Sequence, residues 1–225
     1  MPDAFDGFPP ETMAVLDRLG RADKAWFDAN KTSYQSTVVE PTKAFVAAIG
    51  ERLADGVAPR IVAQPKANGS IAPINNDLRF SPDKSPYKDH LMLRFWEGEH
   101  KKTAPTLFIR ISPEQIGYAT GIALPDLERW RALIDGDAGG ELAAAIEELG
   151  AGREIDVAGE GYKRVPKPYA QEHPRADLLR LKSFQARWIE ATPSSITTPG
   201  FVDHCQERLE ACAPIHRWLV DHLGR

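Results

Sequence analysis

Leu91-Met92-Leu93-Arg94-Phe95-Trp96, Thr106-Leu107-Phe108-Ile109-Arg110-Ile111 and Gly117-Tyr118-Ala119-Thr120-Gly121-Ile122-Ala123-Leu124 are three runs of apolar, β-branched and aromatic residues. Runs of that length and make-up read as strands. Gly98–Thr103 separates the first two, and Ser112-Pro113-Glu114-Gln115 the last two. Links this short cannot carry a parallel crossover, so the strands follow one another as an antiparallel meander.

On the N-terminal side the periodicity changes to that of helices. Phe8-Pro9-Pro10-Glu11-Thr12 opens one, Met13, Leu16 and Leu19 recur at helical spacing, and Gly20 stops it. A second helical region starts near Asp23, with Trp26 and Phe27, and continues through Tyr34 and Val38. It is interrupted or kinked at Pro41 and resumes through Phe45, Val46, Ile49 and Leu53 to Gly56. Ile61-Val62 is a short strand candidate. Beyond the meander, Pro125-Asp126-Leu127 begins a helix through Trp130 and Leu133, and Glu141–Leu149 is an Ala-rich helix. Gly136-Asp137-Ala138-Gly139-Gly140 between them reads as a turn. Glu154–Ala158 and Lys182–Ile189 are further strand candidates. The chain closes on a helix from Phe201 to Leu223 with Pro214 inside it. Phe201, Cys205, Leu209, Cys212 and Leu219 form its core-facing stripe. Trp26, Trp130, Trp188 and Trp218 read as packing residues.

Helices first and last with strands between them predict an α+β fold, one mostly antiparallel sheet flanked by helices. The expected organisation is a single domain over 1–225: helical 8–56, mainly strands 60–124, helices 125–149, a polar loop 150–181, and a strand and helix 182–223. At 225 residues, 42% of them hydrophobic, the chain can bury a core without disulfides or metal. A net charge of −4 argues against a global basic field for nucleic acid. No apolar run approaches the roughly 20 residues of a membrane span. The acidic start Met1-Pro2-Asp3-Ala4-Phe5-Asp6 does not read as a signal peptide. Cys205 and Cys212 would stand about 10 Å apart along one helix, too far for a disulfide. They are expected to be reduced and partly buried in a cytoplasmic protein.

The densest polar stretch is Asn75-Asn76-Asp77-Leu78-Arg79-Phe80-Ser81-Pro82-Asp83-Lys84-Ser85-Pro86-Tyr87-Lys88. Its two Ser-Pro steps restrict the backbone and predict a rigid, group-presenting loop. Arg79, Lys84 and Lys88 supply cations, and Ser81, Ser85 and Tyr87 supply hydroxyls. That combination suits a phosphorylated or carboxylated ligand, with Asp77 as a base. The competing reading is structural: Asp77 and Arg79, two apart, pair on one face and hold the loop.

A second polar stretch runs Glu160-Gly161-Tyr162-Lys163-Arg164-Val165-Pro166-Lys167-Pro168-Tyr169, then Glu172-His173-Pro174 and Arg180-Leu181-Lys182. Interleaved cations and aromatics resemble a surface for phosphates and bases, and also an ordinary solvated loop. His173 is a candidate proton carrier. His204, His216 and His222 on the last helix form no metal motif, and no metal ligands are assigned. GxSxG, GxxxxGK[ST], GxGxxG and HExxH are all absent from the sequence.

These stretches together resemble the domain-of-unknown-function 2461 family, mostly bacterial conserved hypothetical proteins with no established activity. Phe8–Leu19 with Trp26-Phe27, Asn30-Lys31 and Tyr34 is similar to its N-terminal block, and Asp77–Lys88 to its central signature. Gly117–Gly121 resembles a glycine-bearing strand of the family. Lys167-Pro168-Tyr169, His173-Pro174 and Leu178–Lys182 are similar to its C-terminal signature, and Pro214-Ile215 with Trp218-Leu219 to its closing helix. Asn76 stands where the family pattern leads one to expect Arg. The resemblance implies that the two signatures meet, joining Arg79, Lys84 and Lys88 to Lys167, His173, Arg180 and Lys182 around one pocket. The expected function is therefore binding of a small anionic ligand in that pocket, with Asp77 and His173 as proton carriers should a reaction take place. A nucleic-acid-binding module along 163–180 and a non-enzymatic scaffold are the alternatives. The sequence designates no cofactor and no membrane partner, and is compatible with a homodimer.

Overall fold

Alternating side chains sort the meander onto two faces. Its strands are β1 (Leu91–Trp96), β2 (Thr106–Ile111) and β3 (Gln115–Ile122). Leu91, Leu93, Phe95, Leu107, Ile109, Ile111, Ile116 and Tyr118 are sealed on one face. Met92, Arg94, Phe108, Arg110, Gly117 and Ala119 share the other by register. This is a computed structural model, and it describes residues 4–79 and 85–224. Two more strands, β4 (Asp156–Ala158) and β5 (Phe184–Ala191), complete the sheet. Its order is β1-β2-β3-β5-β4, and every pairing is antiparallel. With helices flanking one antiparallel sheet, the fold is α+β.

The N-terminal helices are α1 (Thr12–Leu19), α2 (Lys24–Tyr34) and α3 (Glu40–Gly56). Pro41 does not break the helical run. A π-helical turn over Gln35–Val39 precedes it, closed by the Glu40 N–H donating to the Gln35 carbonyl. The proline therefore enters α3 in its first turn, where its missing N–H costs nothing. Ile61-Val62 forms no strand; Val62 makes only an isolated bridge to Trp96.

After the meander come α4 (Leu127–Asp135) and α5 (Asp137–Gly150). The glycine-rich stretch expected to be a turn is instead the start of α5. Only Gly136, extended at ψ −169°, separates the helices. A Cβ on Gly139 would lie 2.2 Å from the Ile134 carbonyl oxygen, so glycine is what lets α5 begin that close to α4. A short helix, α6 (Ala176–Arg180), precedes β5. The closing helix is two: α7 (Phe201–Glu210) and α8 (Ala213–Leu223), with Pro214 in the first turn of the second. The proline opens a second helix where it was expected to lie inside a single one.

α7 and α8 pack on the inner face of β3, α3 packs on α7, and α4 and α5 pack against α8. Cys205 and Cys212 are free and fully buried, deeper than expected. Trp130 and Trp218 are core residues whose indole N–H groups reach the carbonyls of Leu178 (2.9 Å) and Ala138 (2.8 Å). The opposite face of the sheet carries no helix from this set. Among the described residues no helix is long and apolar enough to cross a membrane.

Candidate ligand site on the open sheet face

Reading the register across the sheet gives two rows of side chains on its open face. One row is Met92, Arg110, Gly117 and Ile189; the next is Arg94, Phe108, Ala119, Arg187 and Asp156. The middle strand offers only a hydrogen or a methyl group in these rows, while β2 and β5 on either side carry long side chains. A trough results along β3, with Phe108 and Arg110 as one wall and Arg187 and Ile189 as the other. It is a cavity of 470 Å³, closed on the far side by Glu154, Ile155 and Asp156.

Cations gather at its β1 side. Arg110 Nη1 donates to Ser112 Oγ at 3.1 Å. Its Nη2 stands 3.2 Å from His90 Nδ1, which is itself 2.6 Å from Asp89 Oδ1. Asp89 Oδ1 lies 3.6 Å from Arg110 Nη2, a long ion pair. Burial holds the His90 imidazole below its usual pKa, and the Arg110 and Lys88 charges add to that, while Asp89 pulls the other way. Lys88 is likewise held low by burial and by Arg94. Arg94 Nε is buried and has no hydrogen-bond partner. Arg187, by contrast, is satisfied, donating from Nε to Asp156 Oδ2 at 2.9 Å. None of His90, Arg94, Arg110 or Arg187 was singled out from sequence. Their signal was the period-two placement of Arg94, Arg110 and Arg187 opposite the sealed apolar positions.

The residues that were singled out lie elsewhere. Arg79 grips Asp77, Nε to Oδ1 at 3.0 Å and Nη2 to Oδ2 at 2.6 Å, which is the structural pairing. That guanidinium holds the exposed Asp77 carboxyl below its usual pKa. Tyr87 is buried and stacks on Phe27 at 4.7 Å, a core role rather than a presented hydroxyl. Lys88 Nζ donates to the carbonyls of Pro73 and Asn75, the latter at 2.9 Å. Ser81 and Lys84 lie outside the described residues. In the second stretch, His173 Nδ1 accepts from the Arg175 N–H at 3.0 Å, and Nε2 faces Asp135 at 3.4 Å. Arg175 in turn binds the carbonyls of Ile134, Asp135 and Gly136, so this pair caps the end of α4. Arg180 pairs with Asp177, and Lys167 is exposed. Lys182 Nζ stands 4.7 Å from the Tyr162 ring centre, which Arg131 also approaches at 5.3 Å.

A second polar constellation lies under the sheet. Thr120 Oγ1 is 3.3 Å from His216 Nδ1, and His216 Nε2 is 3.3 Å from Glu97 Oε2. Glu97 Oε1 accepts from Arg60 Nε at 3.1 Å. His216 and Arg60 hold the Glu97 carboxyl below its usual pKa against the opposing effect of burial. A hydroxyl, an imidazole and a carboxylate in line suggest a nucleophile relay. However, Thr120 and His216 are both 0% exposed, so no substrate can reach the hydroxyl. The chain therefore ties β3, α8 and the end of β1 together. His204 is also engaged, at 2.7 Å from Glu190. Among the described residues no three His, Cys, Asp or Glu side chains gather at metal-binding distance.

The family model for conserved hypothetical proteins, DUF2461, matches residues 11–218. The chain belongs to the DUF2461 family. No curated protein matches it. With the DUF2461 fold in view, the expected meeting of the two signatures can be checked against the register. The central signature leads into the Leu91 end of β1, whereas Lys182 precedes the Phe184 end of β5. Leu91 lines up through Ile111 and Ile116 with Glu190, the far end of β5. The described parts of the two signatures therefore sit at diagonal corners, about 14 Å apart across three strand spacings and about 20 Å along the strands. Among the described residues the two stretches do not share a pocket. Asn76, the departure from the family pattern, donates to the carbonyls of Ser85 (2.8 Å) and Tyr87 (3.0 Å) and closes the central loop.

Proposed function

We propose that this DUF2461 protein binds a small carboxylated or phosphorylated ligand on the open face of its sheet, with Arg110 as the anion clamp. The observation that best supports this is Arg110 itself. It lines the 470 Å³ cavity and is held by Ser112, which accepts from it at 3.1 Å, and by Asp89 at 3.6 Å, with the His90 ring beside it. A guanidinium carries five donors in a planar fork, so fixing it by two leaves others for a carboxylate or phosphate. His90 lies next to it, paired with Asp89, and is the group placed to exchange a proton with whatever Arg110 holds. Phe108, Ala119, Ile155 and Ile189 supply an apolar surface for the rest of the ligand.

Isothermal titration of carboxylates and of sugar and nucleoside phosphates against wild type and Arg110→Gln tests the reading. Losing one charge-assisted contact of about 1.5–3 kcal/mol weakens binding about 10- to 150-fold. Equal affinity in both proteins, or no binding by any anion in the panel, refutes it. Asp77→Asn serves as a control and should bind as wild type.

A further inference from the structure

The trough does not end at the cavity that holds Arg110. A second cavity, of 620 Å³, continues it along the sheet and shares Phe108, Gln185 and Arg187 with the first. Its far rim is apolar on one side, where Leu124, Pro125 and Leu127 rise; on the other, Ala158 is followed by Glu160 and by Lys182, whose Nζ stands 4.7 Å from the Tyr162 ring centre. Leu124, 59% exposed, and Ile189, 61% exposed, mark the two ends of the continuous floor. From Gly117 to Leu124 it is about 23 Å long at about 3.3 Å per residue. Charge is distributed unevenly along it. Arg110, whose ion pair with Asp89 is long at 3.6 Å, stands at one end. In the middle, the Arg187 and Asp156 charges cancel, and Arg187 presents its aliphatic stem to the trough. The occupant that complements a long apolar channel with a cation at one end is an elongated apolar chain with one anionic head.

We infer that the ligand is a long-chain amphiphile, an acyl or alkyl chain with a carboxylate or phosphate head. The head lies on Arg110, and the chain runs along β3 toward Leu124 and Leu127. This rests on the anion-binding reading above and specifies its ligand. A buried methylene contributes about 0.8 kcal/mol, about four-fold in affinity, and a half-covered one about two-fold.

The test is a titration of straight-chain carboxylates from butyrate to docosanoate, as monomers below micelle formation, against the full-length protein. Affinity should climb about two- to four-fold per methylene and level off once the chain passes Leu124. Ala123→Trp, at an exposed position that lines only the second cavity, should leave butyrate binding unchanged and abolish the gain for chains long enough to reach it. Leu124→Asp, at an exposed position that folding does not depend on, should remove the gain for the longest chains only. Affinity independent of chain length, with butyrate still lost in Arg110→Gln, overturns the inference and leaves the anion site standing. Failure of every carboxylate to bind defeats the anion site itself. Binding to anionic vesicles without binding to monomers, or sedimentation as a dimer that protects Ile189 and Leu124 from the ligand, also overturns the inference.

Discussion

Glu97→Gln is the perturbation that best probes how the sheet is tied to the helices beneath it. Glu97 follows β1 and is 6% exposed, touching His216 at 3.3 Å and Arg60 at 3.1 Å. The Arg60 arm is 76% exposed and contributes about 0–1 kcal/mol. The His216 arm is sealed; its Nε2 stands 3.3 Å from Glu97 outside hydrogen-bond geometry, and a contact to a charged group there is worth at most about 1.5–3 kcal/mol. Glutamine keeps the volume and removes the charge, so the loss is about 2–3 kcal/mol. For a chain of this length each kcal/mol moves Tm by about 2–4 °C, giving a fall of about 4–12 °C. The sign of the pH dependence follows from the depressed Glu97 carboxyl. Its contribution is fully present above the unfolded-state value of about 4.5 and is lost as pH falls through the lower folded-state value. Differential scanning calorimetry from pH 7 to pH 3 should therefore show the gap between wild type and mutant closing as the solution is acidified. A mutant that melts within about 1 °C of wild type at pH 7, or a gap that widens in acid, would refute this account of the network.

Three further outcomes follow from the geometry. Binding of an alkyl sulfonate, whose charge is constant, should tighten as pH falls from 7.5 to 5.5. His90 is held below its usual pKa near Arg110 and Lys88, so an incoming anion raises it and draws in a proton; titration of His90→Gln should show no such slope. Both thiols should resist Ellman's reagent in the native protein and react together only on unfolding, since burial pushes Cys205 well up and Cys212 up to about 12; fast labelling of the folded protein would contradict the structure. Gly121→Ala would place a Cβ 2.2 Å from the Phe184 carbonyl and force β3 from β5, costing about 2–4 kcal/mol in urea unfolding, and a neutral result would mean the strands pair differently.

How far the chain could be read in advance depended on whether the signal was local. Leu91–Trp96 and Thr106–Ile111 match the observed strands because alternation and short links are written in consecutive residues. Gly136–Gly140 misled because glycine signals a turn locally. Here it answers a close approach between two helices that only packing creates. Pro214 misled for a related reason: a proline read as lying inside a helix can also start one, and Ala211 caps the end of one run while Cys212 caps the start of the next. At the site, the Asp77–Arg79 pair was legible as the structural alternative, two residues apart on one face. Tyr87 and Lys88 were read for their chemistry, and the fold uses them for packing and for closing carbonyls.

By itself, then, the sequence determined the class of fold, the central meander and the family, all of which depend on periodicity and on motifs in consecutive residues. Tertiary structure alone decided where charge meets cavity. Arg110, Ala119 and Arg187 are far apart in the chain and become neighbours only through the strand register, and that register leaves β3 without side chains where its neighbours carry long ones. The two signatures, alike in composition, are held at opposite corners by the same sheet. Hydrogen bonding between strands fixes those distances, and no count of residues along the chain contains them.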